Sequence, residues 1–147
     1  MAERWKGCHM TIGGRDLELF IRRWYELWNA QDKDGWLRHW RAMSPGEPTL
    51  EDPVGTPVKR GWGLASQLWD RTGPDHPAVR ITQLITGADE AVVVCSNEGT
   101  YRGEELVIPS VDVWRVEPGG SSAVRSFWEI PSHIPYGRWT ARTGSPR

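Results

Sequence analysis

The chain has little cysteine, no apolar run long enough to span a membrane, and no excess of charge of either sign. Cys8 and Cys95 are its only cysteines, and their number and separation predict neither a disulfide framework nor a zinc site. The 18 basic and 19 acidic side chains leave a net charge of −1, which argues against a nucleic acid or an anionic membrane as partner. No secretory signal follows Arg4 and Lys6. We therefore expect a cytoplasmic protein.

At 147 residues, of which 38% are apolar and 25% charged, the chain is long enough for one globular domain. We expect that domain to cover residues 15–132, with a disordered tail over 1–14 and a C-terminal tail over 133–147. Its aromatic content is unusual, because ten tryptophans accompany only two phenylalanines and three tyrosines. Such a domain either fills its core with indole or lines a pocket for flat apolar molecules.

Hydrophobic periodicity predicts helices first and strands afterwards. Apolar side chains recur at three- and four-residue steps in three segments, and the predicted helices are 15–30, 34–43 and 62–71. A short strand is predicted at 49–52, where Pro53 ends it. The later β-rich segments are 79–86, 90–101, 106–116 and 123–130. Their short connections predict antiparallel hairpins, so the class is α+β, with helices on one face of a sheet.

One acidic residue is placed unusually within the predicted strands. Alternate residues of a strand share a face, so Asp112 falls in one row with Ile108, Ser110, Trp114 and Val116. Desolvation in such a row raises the pKa of a carboxyl group and favours its neutral, hydrogen-bond-donating form. The alternative is a structural carboxylate that is bonded to a nearby backbone N–H group.

The segment Glu51-Asp52-Pro53-Val54-Gly55, preceded by Asn29-Ala30-Gln31-Asp32-Lys33-Asp34-Gly35, resembles the signature of ketosteroid-isomerase-like, or SnoaL-like, proteins of the nuclear transport factor 2-like superfamily. The resemblance covers residues 15–132. It implies a cone-shaped fold in which a curved antiparallel sheet packs on three N-terminal helices around one deep apolar pocket.

The resemblance also implies roles for individual residues. The aspartate of the family motif is a general base, which matches Asp52, and a second, protonated aspartate matches Asp112. Without the resemblance, an aspartate before proline is an ordinary turn residue. The family's oxyanion-binding tyrosine lies five residues before its Asn-Ala pair, which is Trp24 here. Tyr25 is about 100° further round the helix. We therefore expect Trp24 to donate one hydrogen bond or to shape the pocket.

The resemblance leads to one main hypothesis about function and two alternatives. The main hypothesis is an isomerase, needing no cofactor or metal, that transfers a proton within a hydrophobic polycyclic or polyketide-like ketone. The first alternative is a polyether-type epoxide hydrolase or cyclase with the same two aspartates. The second is a non-catalytic binding protein, which is disfavoured because an unneeded buried carboxyl group is costly. The expected substrate-binding residues are Trp24, Trp40, Trp69, Trp114 and Trp128.

The remaining signals concern metals, thiols and self-association. The four histidines have no metal-site spacing, and Cys95 has no indicated base, so we expect a packed thiol. In the last predicted strand, Phe127 lies between Arg125 and Glu129 on the face away from the helices. An apolar anchor among charged groups suits an interface, and relatives dimerise through their sheets. We therefore expect a homodimer through this sheet face.

Overall fold

Two helices open the described part of the chain, and a third follows a short hairpin. The computed structural model describes residues 12–72, 76–129, 131–134 and 140–141. The helices are α1 (Gly14–Asn29), α2 (Lys33–Met43) and α3 (Trp62–Thr72), which confirms the three predicted helices to within one residue at each end. None of the helices in the described segments is long and apolar enough to cross a membrane.

The strands form one sheet. They are β1 (Thr49–Glu51), β2 (Lys59–Arg60), β3 (Ala78–Gly87), β4 (Glu90–Tyr101), β5 (Glu104–Val116), β6 (Ser122–Phe127) and β7 (Thr140–Ala141). Their order is β2-β1-β6-β5-β4-β3, and β7 pairs with β4. The four long strands are antiparallel neighbours, as predicted, and the α+β class is confirmed. The sequence pattern did not predict the two-residue strands β2 and β7.

One pairing in the sheet is parallel. β1 runs parallel to β6 and antiparallel to β2. The sequence predicted only hairpins between consecutive strands, and this contact joins segments more than 70 residues apart, where no local pattern acts. At the other side of the sheet, a register shift between Ile81 and Gln83 interrupts the β3–β4 ladder. Such a bulge bends its strand and increases the local twist.

The core is built from stacked and edge-on indoles. The ring of Trp24 lies at its centre, with ring centroids 5.0 to 6.0 Å from those of Trp28, Trp36, Trp40 and Trp114. α1 contributes a wide buried stripe to this core, because its pairs Phe20–Ile21, Trp24–Tyr25 and Leu27–Trp28 are all buried. Most of the tryptophan content therefore fills the core of the domain.

Two fully buried indoles differ in whether their N–H group has a hydrogen-bond acceptor, which affects stability. Trp36 and Trp40 are both 0% exposed. The Nε1 of Trp40 donates to the Ser122 hydroxyl at 2.7 Å, whereas the Nε1 of Trp36 has no acceptor among the residues that the structure describes. Loss of the first N–H group leaves a buried hydroxyl unsatisfied, and loss of the second removes an unsatisfied donor.

We predict that Trp40→Phe lowers the free energy of unfolding by about 1 to 3 kcal/mol more than Trp36→Phe does. Both substitutions remove the same atoms from a fully buried site, so the Trp36 variant is the matched control for lost volume. Urea unfolding of the two variants and the wild type measures the difference. An equal loss in both variants would show that the Trp40–Ser122 hydrogen bond contributes no net stability.

Candidate active site

The parallel strand pairing places the two predicted catalytic aspartates across one strand from each other. Glu51 pairs with Arg125 of β6, so the next residue, Asp52, comes opposite Ser126. Asp112 of β5 pairs with Ser126 from the other side. Because neighbouring strands lie about 4.8 Å apart, the two aspartate backbones are about 10 Å apart. That spacing leaves room for a small molecule between the two carboxyl groups.

Asp112 is buried and accepts a hydrogen bond from a tyrosine. Its burial confirms the predicted strand alternation, since Ile108, Ser110 and Trp114 are buried on the same face. The hydroxyl of Tyr25 donates to Oδ2 of Asp112 and accepts a hydrogen bond from Nε1 of Trp114 at 3.3 Å. Burial and the neighbouring charge of Asp112 raise the pKa of Tyr25 well above its usual range. Tyr25 is therefore a proton-bearing donor at every physiological pH.

Desolvation dominates the electrostatics of Asp112. Burial, with a smaller contribution from the negative charge of Asp52, raises the pKa of Asp112 to about 6. The hydroxyls of Tyr25 and Ser126 act in the opposite direction, because they stabilise the ionised form. A carboxyl group with a pKa near 6 exchanges its proton close to neutral pH, as an acid–base catalyst must.

Asp52 lies directly after β1 and is half-buried. Burial raises the pKa of Asp52, while the hydrogen bond from Trp128 and the charge of Lys59 lower it. The Nε1 of Trp128 donates to Oδ1 of Asp52 at 2.6 Å, and Nζ of Lys59 donates to the backbone oxygen of Asp52 at 2.9 Å. These two donors favour the carboxylate, so Asp52 is the member of the pair that is more readily ionised and thus free to accept a proton.

Both aspartates face one inner cavity of about 100 Å³. Apolar walls come from Trp24, Trp28, Leu50, Leu68, Val79 and Val124, among others. The polar groups gather around Asp112, where Asn97 donates to the Ser110 hydroxyl at 2.9 Å and Ser126 lies opposite on β6. A few polar groups in an apolar enclosure are typical of a small-molecule site.

Trp24 lines the cavity, as expected of a residue that shapes the pocket, and its indole donates no hydrogen bond to a described residue. Its Nε1 is buried, has no acceptor among the described residues and is not reached by solvent. The hydroxyl group in the cavity belongs to the neighbouring Tyr25, which donates to Asp112. Counting back from the family motif gives Trp24, one residue before this tyrosine. The signal for Tyr25 was its place on the buried stripe, four residues after Ile21 and three before Trp28.

Of the five tryptophans predicted to bind substrate, only Trp24 and Trp128 line the cavity. Trp40 and Trp114 are 0% exposed and Trp69 is 6% exposed, and all three pack against other indoles of the core. Their indole rings supply core volume, so the prediction that they line the pocket is wrong. Trp28, which is not one of the five, lines the cavity as well.

The other chemistry-bearing residues lie apart from this site or outside the described residues. Among the described residues, no group of three or more His, Cys, Asp and Glu side chains is placed to hold a metal ion. His76 is buried and stacks on Trp28 with ring centroids 3.9 Å apart. Cys95 is buried, and burial raises its pKa to about 12, so it carries a protonated thiol. Cys8, His9 and Ile130 lie outside the described residues.

Comparison with known proteins assigns the family. The chain belongs to the SnoaL-like domain family, whose model matches residues 21–125, and thus to the nuclear transport factor 2-like superfamily that the sequence motif indicated. No curated protein matches it.

Two solved structures show the same fold. One is SalBIII, an epoxide hydrolase/cyclase-like enzyme with a role in pyran ring formation in the polyether salinomycin, with 19% identity and a TM-score of 0.63 over 79% of this chain and 92% of that one. The other is a protein of unknown function with a cystatin-like fold from Methylobium petroleophilum PM1, with 17% identity and a TM-score of 0.59 over 93% and 97%. The predicted cone-shaped α+β fold is confirmed.

We predict that Asp112 makes the protein more stable in mild acid. Its pKa is about 6 in the folded protein and near 3.8 in an unfolded chain, so the folded state binds the proton more tightly. The free energy of unfolding therefore rises by about 2 kcal/mol as pH falls from about 7 to about 4, and this stability is lost as pH rises through about 6.

Urea unfolding across this pH range tests the prediction, with Asp112→Asn as the control. The variant lacks the titrating group, so its stability gains less on acidification than that of the wild type. Titration of the other carboxyl groups is common to both proteins and cancels in the difference. Parallel pH curves for the two proteins would contradict a raised pKa at Asp112.

Proposed function

We propose that the protein is an acid–base enzyme that forms or opens a carbon–oxygen bond of a hydrophobic small molecule, as in epoxide hydrolysis or cyclisation. The observation that carries the proposal is the pair of carboxyl groups, Asp52 and Asp112, that face one cavity from two sides with raised pKa values. Carboxyl groups in different environments divide the roles of base and acid between them. The proposal uses no cofactor.

In the proposed reaction, Asp52 is the general base and Asp112 the general acid. Asp52 takes the proton of a substrate hydroxyl group or of a water molecule, and that oxygen attacks a carbon of the epoxide. The carbon–oxygen bond of the epoxide breaks, and the departing oxygen takes the proton of Asp112. After the reaction Asp52 is protonated and Asp112 is ionised, so one proton returns from Asp52 to Asp112 through solvent before the next cycle.

The surroundings of Asp112 favour a substrate with several oxygen atoms. Asn97, Ser110 and Ser126 line the same cavity and offer hydrogen bonds that a simple ketone does not use. The hydroxyl of Tyr25 donates to Asp112 itself, so the tyrosine positions the acid. The similarity in fold to an epoxide hydrolase/cyclase-like enzyme adds to this choice. We therefore rank carbon–oxygen bond chemistry above the isomerase hypothesis.

The isomerase remains the second candidate because of one specific observation. The phenol of Tyr25 donates to Asp112, so a protonated Asp112 that is held in place by this hydrogen bond can donate its own proton in a hydrogen bond to a carbonyl oxygen as negative charge develops on it. In that reaction Asp52 removes a proton from carbon and returns it to another carbon, and Asp112 donates a hydrogen bond without losing its proton.

The two candidates differ in what an amide at position 112 can do. Asn donates a hydrogen bond but transfers no proton at neutral pH. We expect Asp112→Asn to reduce epoxide opening at least about a hundredfold, and to reduce isomerisation only about tenfold. Asp52→Asn removes the base and reduces either reaction at least about a hundredfold. The measurements are conversion of a hydroxy-epoxide, followed by chromatography, and conversion of a β,γ-unsaturated ketone, followed by absorbance.

The pH profile of the wild type provides a control that needs no substitution. Epoxide opening slows as pH rises through about 6, because Asp112 loses the proton that it transfers.

A wild type that binds both compounds and converts neither would instead support the binding-protein alternative. Full activity of Asp52→Asn would exclude Asp52 as the base.

We also propose that the protein is a homodimer that pairs through the outer face of its sheet. Val92, Val107 and Phe127 point away from the helices and are 37%, 55% and 42% exposed. The guanidinium of Arg125 lies 5.3 Å from the Phe127 ring centroid and pairs with Glu51 at 2.7 Å. An apolar centre with charged groups at its edge is typical of an interface between proteins.

We expect Phe127→Glu to convert the dimer to a monomer, because it places a charge in the apolar centre of the interface. Leu19→Glu is the control, since Leu19 is 56% exposed on α1, on the helical side of the molecule. Sedimentation velocity of the wild type and both variants measures the mass. A monomeric wild type, or a Phe127→Glu protein that stays dimeric, would refute the proposed interface.

A further inference from the structure

The inner cavity is small for the substrate class considered above. Its volume is about 100 Å³, and an apolar cavity of about 150 Å³ is known to hold one benzene molecule. A substrate with more than one ring therefore places only its reacting part beside Asp112. The rest of the molecule has to lie outside the inner cavity, next to the residues at its border.

Asp52 borders a second, more open groove, which we call the outer groove. One wall is the loop between β1 and β2, with Pro57 and Val58, and continues into Lys59. The other wall is α3, where Leu64 and Arg71 lie two helical turns apart on one face. Val58 is 48% exposed, so the outer groove presents apolar surface beside two cationic side chains. A molecule that reacts at Asp52 therefore has the outer groove within reach.

Neither cation of the outer groove forms a salt bridge in the described part of the chain, although the charge of Lys59 acts on the nearby Asp52. Lys59 is half-buried, and its ammonium group donates only to the backbone oxygen of Asp52, at 2.9 Å. Arg71 is exposed and forms no ion pair there, whereas the nearby Lys33 pairs with Asp70 at 2.7 Å. Two cations and one carboxyl group, Asp52, line the outer groove, so it keeps an excess of positive charge that attracts an incoming anion.

We propose that the outer groove binds a carboxylate at the far end of the substrate, and hence that the substrate is a hydrophobic carboxylic acid. The guanidinium of Arg71 matches a carboxylate with two parallel hydrogen bonds, and Lys59 adds a compact charge. Val58 and Leu64 contact the apolar stem between the carboxylate and the reacting part. This inference rests on the proposed function, because it uses Asp52 as the point where the reacting part lies.

The arrangement fixes the direction in which the substrate enters. The carboxylate is repelled by the ionised Asp52 and is held by Lys59 and Arg71, so it stays outside while the neutral end enters the inner cavity. An acid-bearing substrate then reacts at the end remote from its carboxylate. A neutral analogue lacks this guidance and binds in either direction.

Binding of two matched probes tests the proposal without any turnover. Naphthalene-2-acetate and naphthalene-2-acetamide share their apolar body and differ in charge. We expect the wild type to bind the acid about tenfold more tightly than the amide in isothermal titration calorimetry at low salt, and the preference to shrink as salt screens the charges.

Two arginine variants separate a local contact from a general charge effect. Arg71→Gln reduces the preference for the acid to about threefold or less, whereas Arg60→Gln retains it. Arg60→Gln is the matched control, because it removes the same charge at an exposed residue next to Lys59. Arg60 does not line the outer groove. Equal effects of the two variants, equal binding of the two probes, or no binding of the acid to the wild type would each overturn the proposal.

The Asp52→Asn variant keeps this test distinct from that of the proposed function. It loses turnover if Asp52 is the base, yet it retains the preference for the acid, because Lys59 and Arg71 are unchanged. Lost turnover without any preference for the acid in the wild type would leave the proposed function standing and refute the outer groove as a carboxylate site. A preference for the acid with undiminished turnover in Asp52→Asn would refute the proposed function instead.

Discussion

The parallel pairing of β1 with β6 is the constraint on which the site depends. It brings a residue from the first half of the chain, Asp52, next to the strand that also pairs with β5, which carries Asp112. The two carboxyl groups are far apart in sequence and are held at a separation set by two strand spacings. Because both ends of that separation belong to hydrogen-bonded strands or to the residue directly after one, little local motion is available to change it.

The indole core controls the electrostatics of this site. Trp24 and Trp114 pack around Tyr25, and Tyr25 in turn donates to Asp112, so water is excluded from one side of the carboxyl group. Desolvation then acts as the main cause of the raised pKa of Asp112. Burying such a group costs stability, which the packing of large aromatic side chains offsets. The unusual composition and the unusual acid are thus parts of one arrangement.

Local patterns in the sequence predicted the helices, the long strands and the side of β5 on which Asp112 lies, because each depends on a period of a few residues. They did not predict the parallel β1–β6 contact, which joins distant segments through backbone hydrogen bonds. They also did not separate Tyr25 from Trp24, since α1 buries pairs of adjacent residues. The helical periodicity of apolar residues also does not distinguish a tryptophan in the core, such as Trp40, from one that lines the cavity, such as Trp28.

The two aspartates differ in the space that each one faces. Asp52 borders the inner cavity and also the outer groove, whereas Asp112 lines the inner cavity and lies against Tyr25. In the proposed acid–base cycle, Asp52 can therefore release its proton on the outer side, while Asp112 recovers one through the inner cavity. A bound product blocks that route, so recharging of the acid has to wait until the product has left. The order of events in the proposed cycle thus follows from one difference, namely that Asp52 borders both spaces and Asp112 borders the inner cavity.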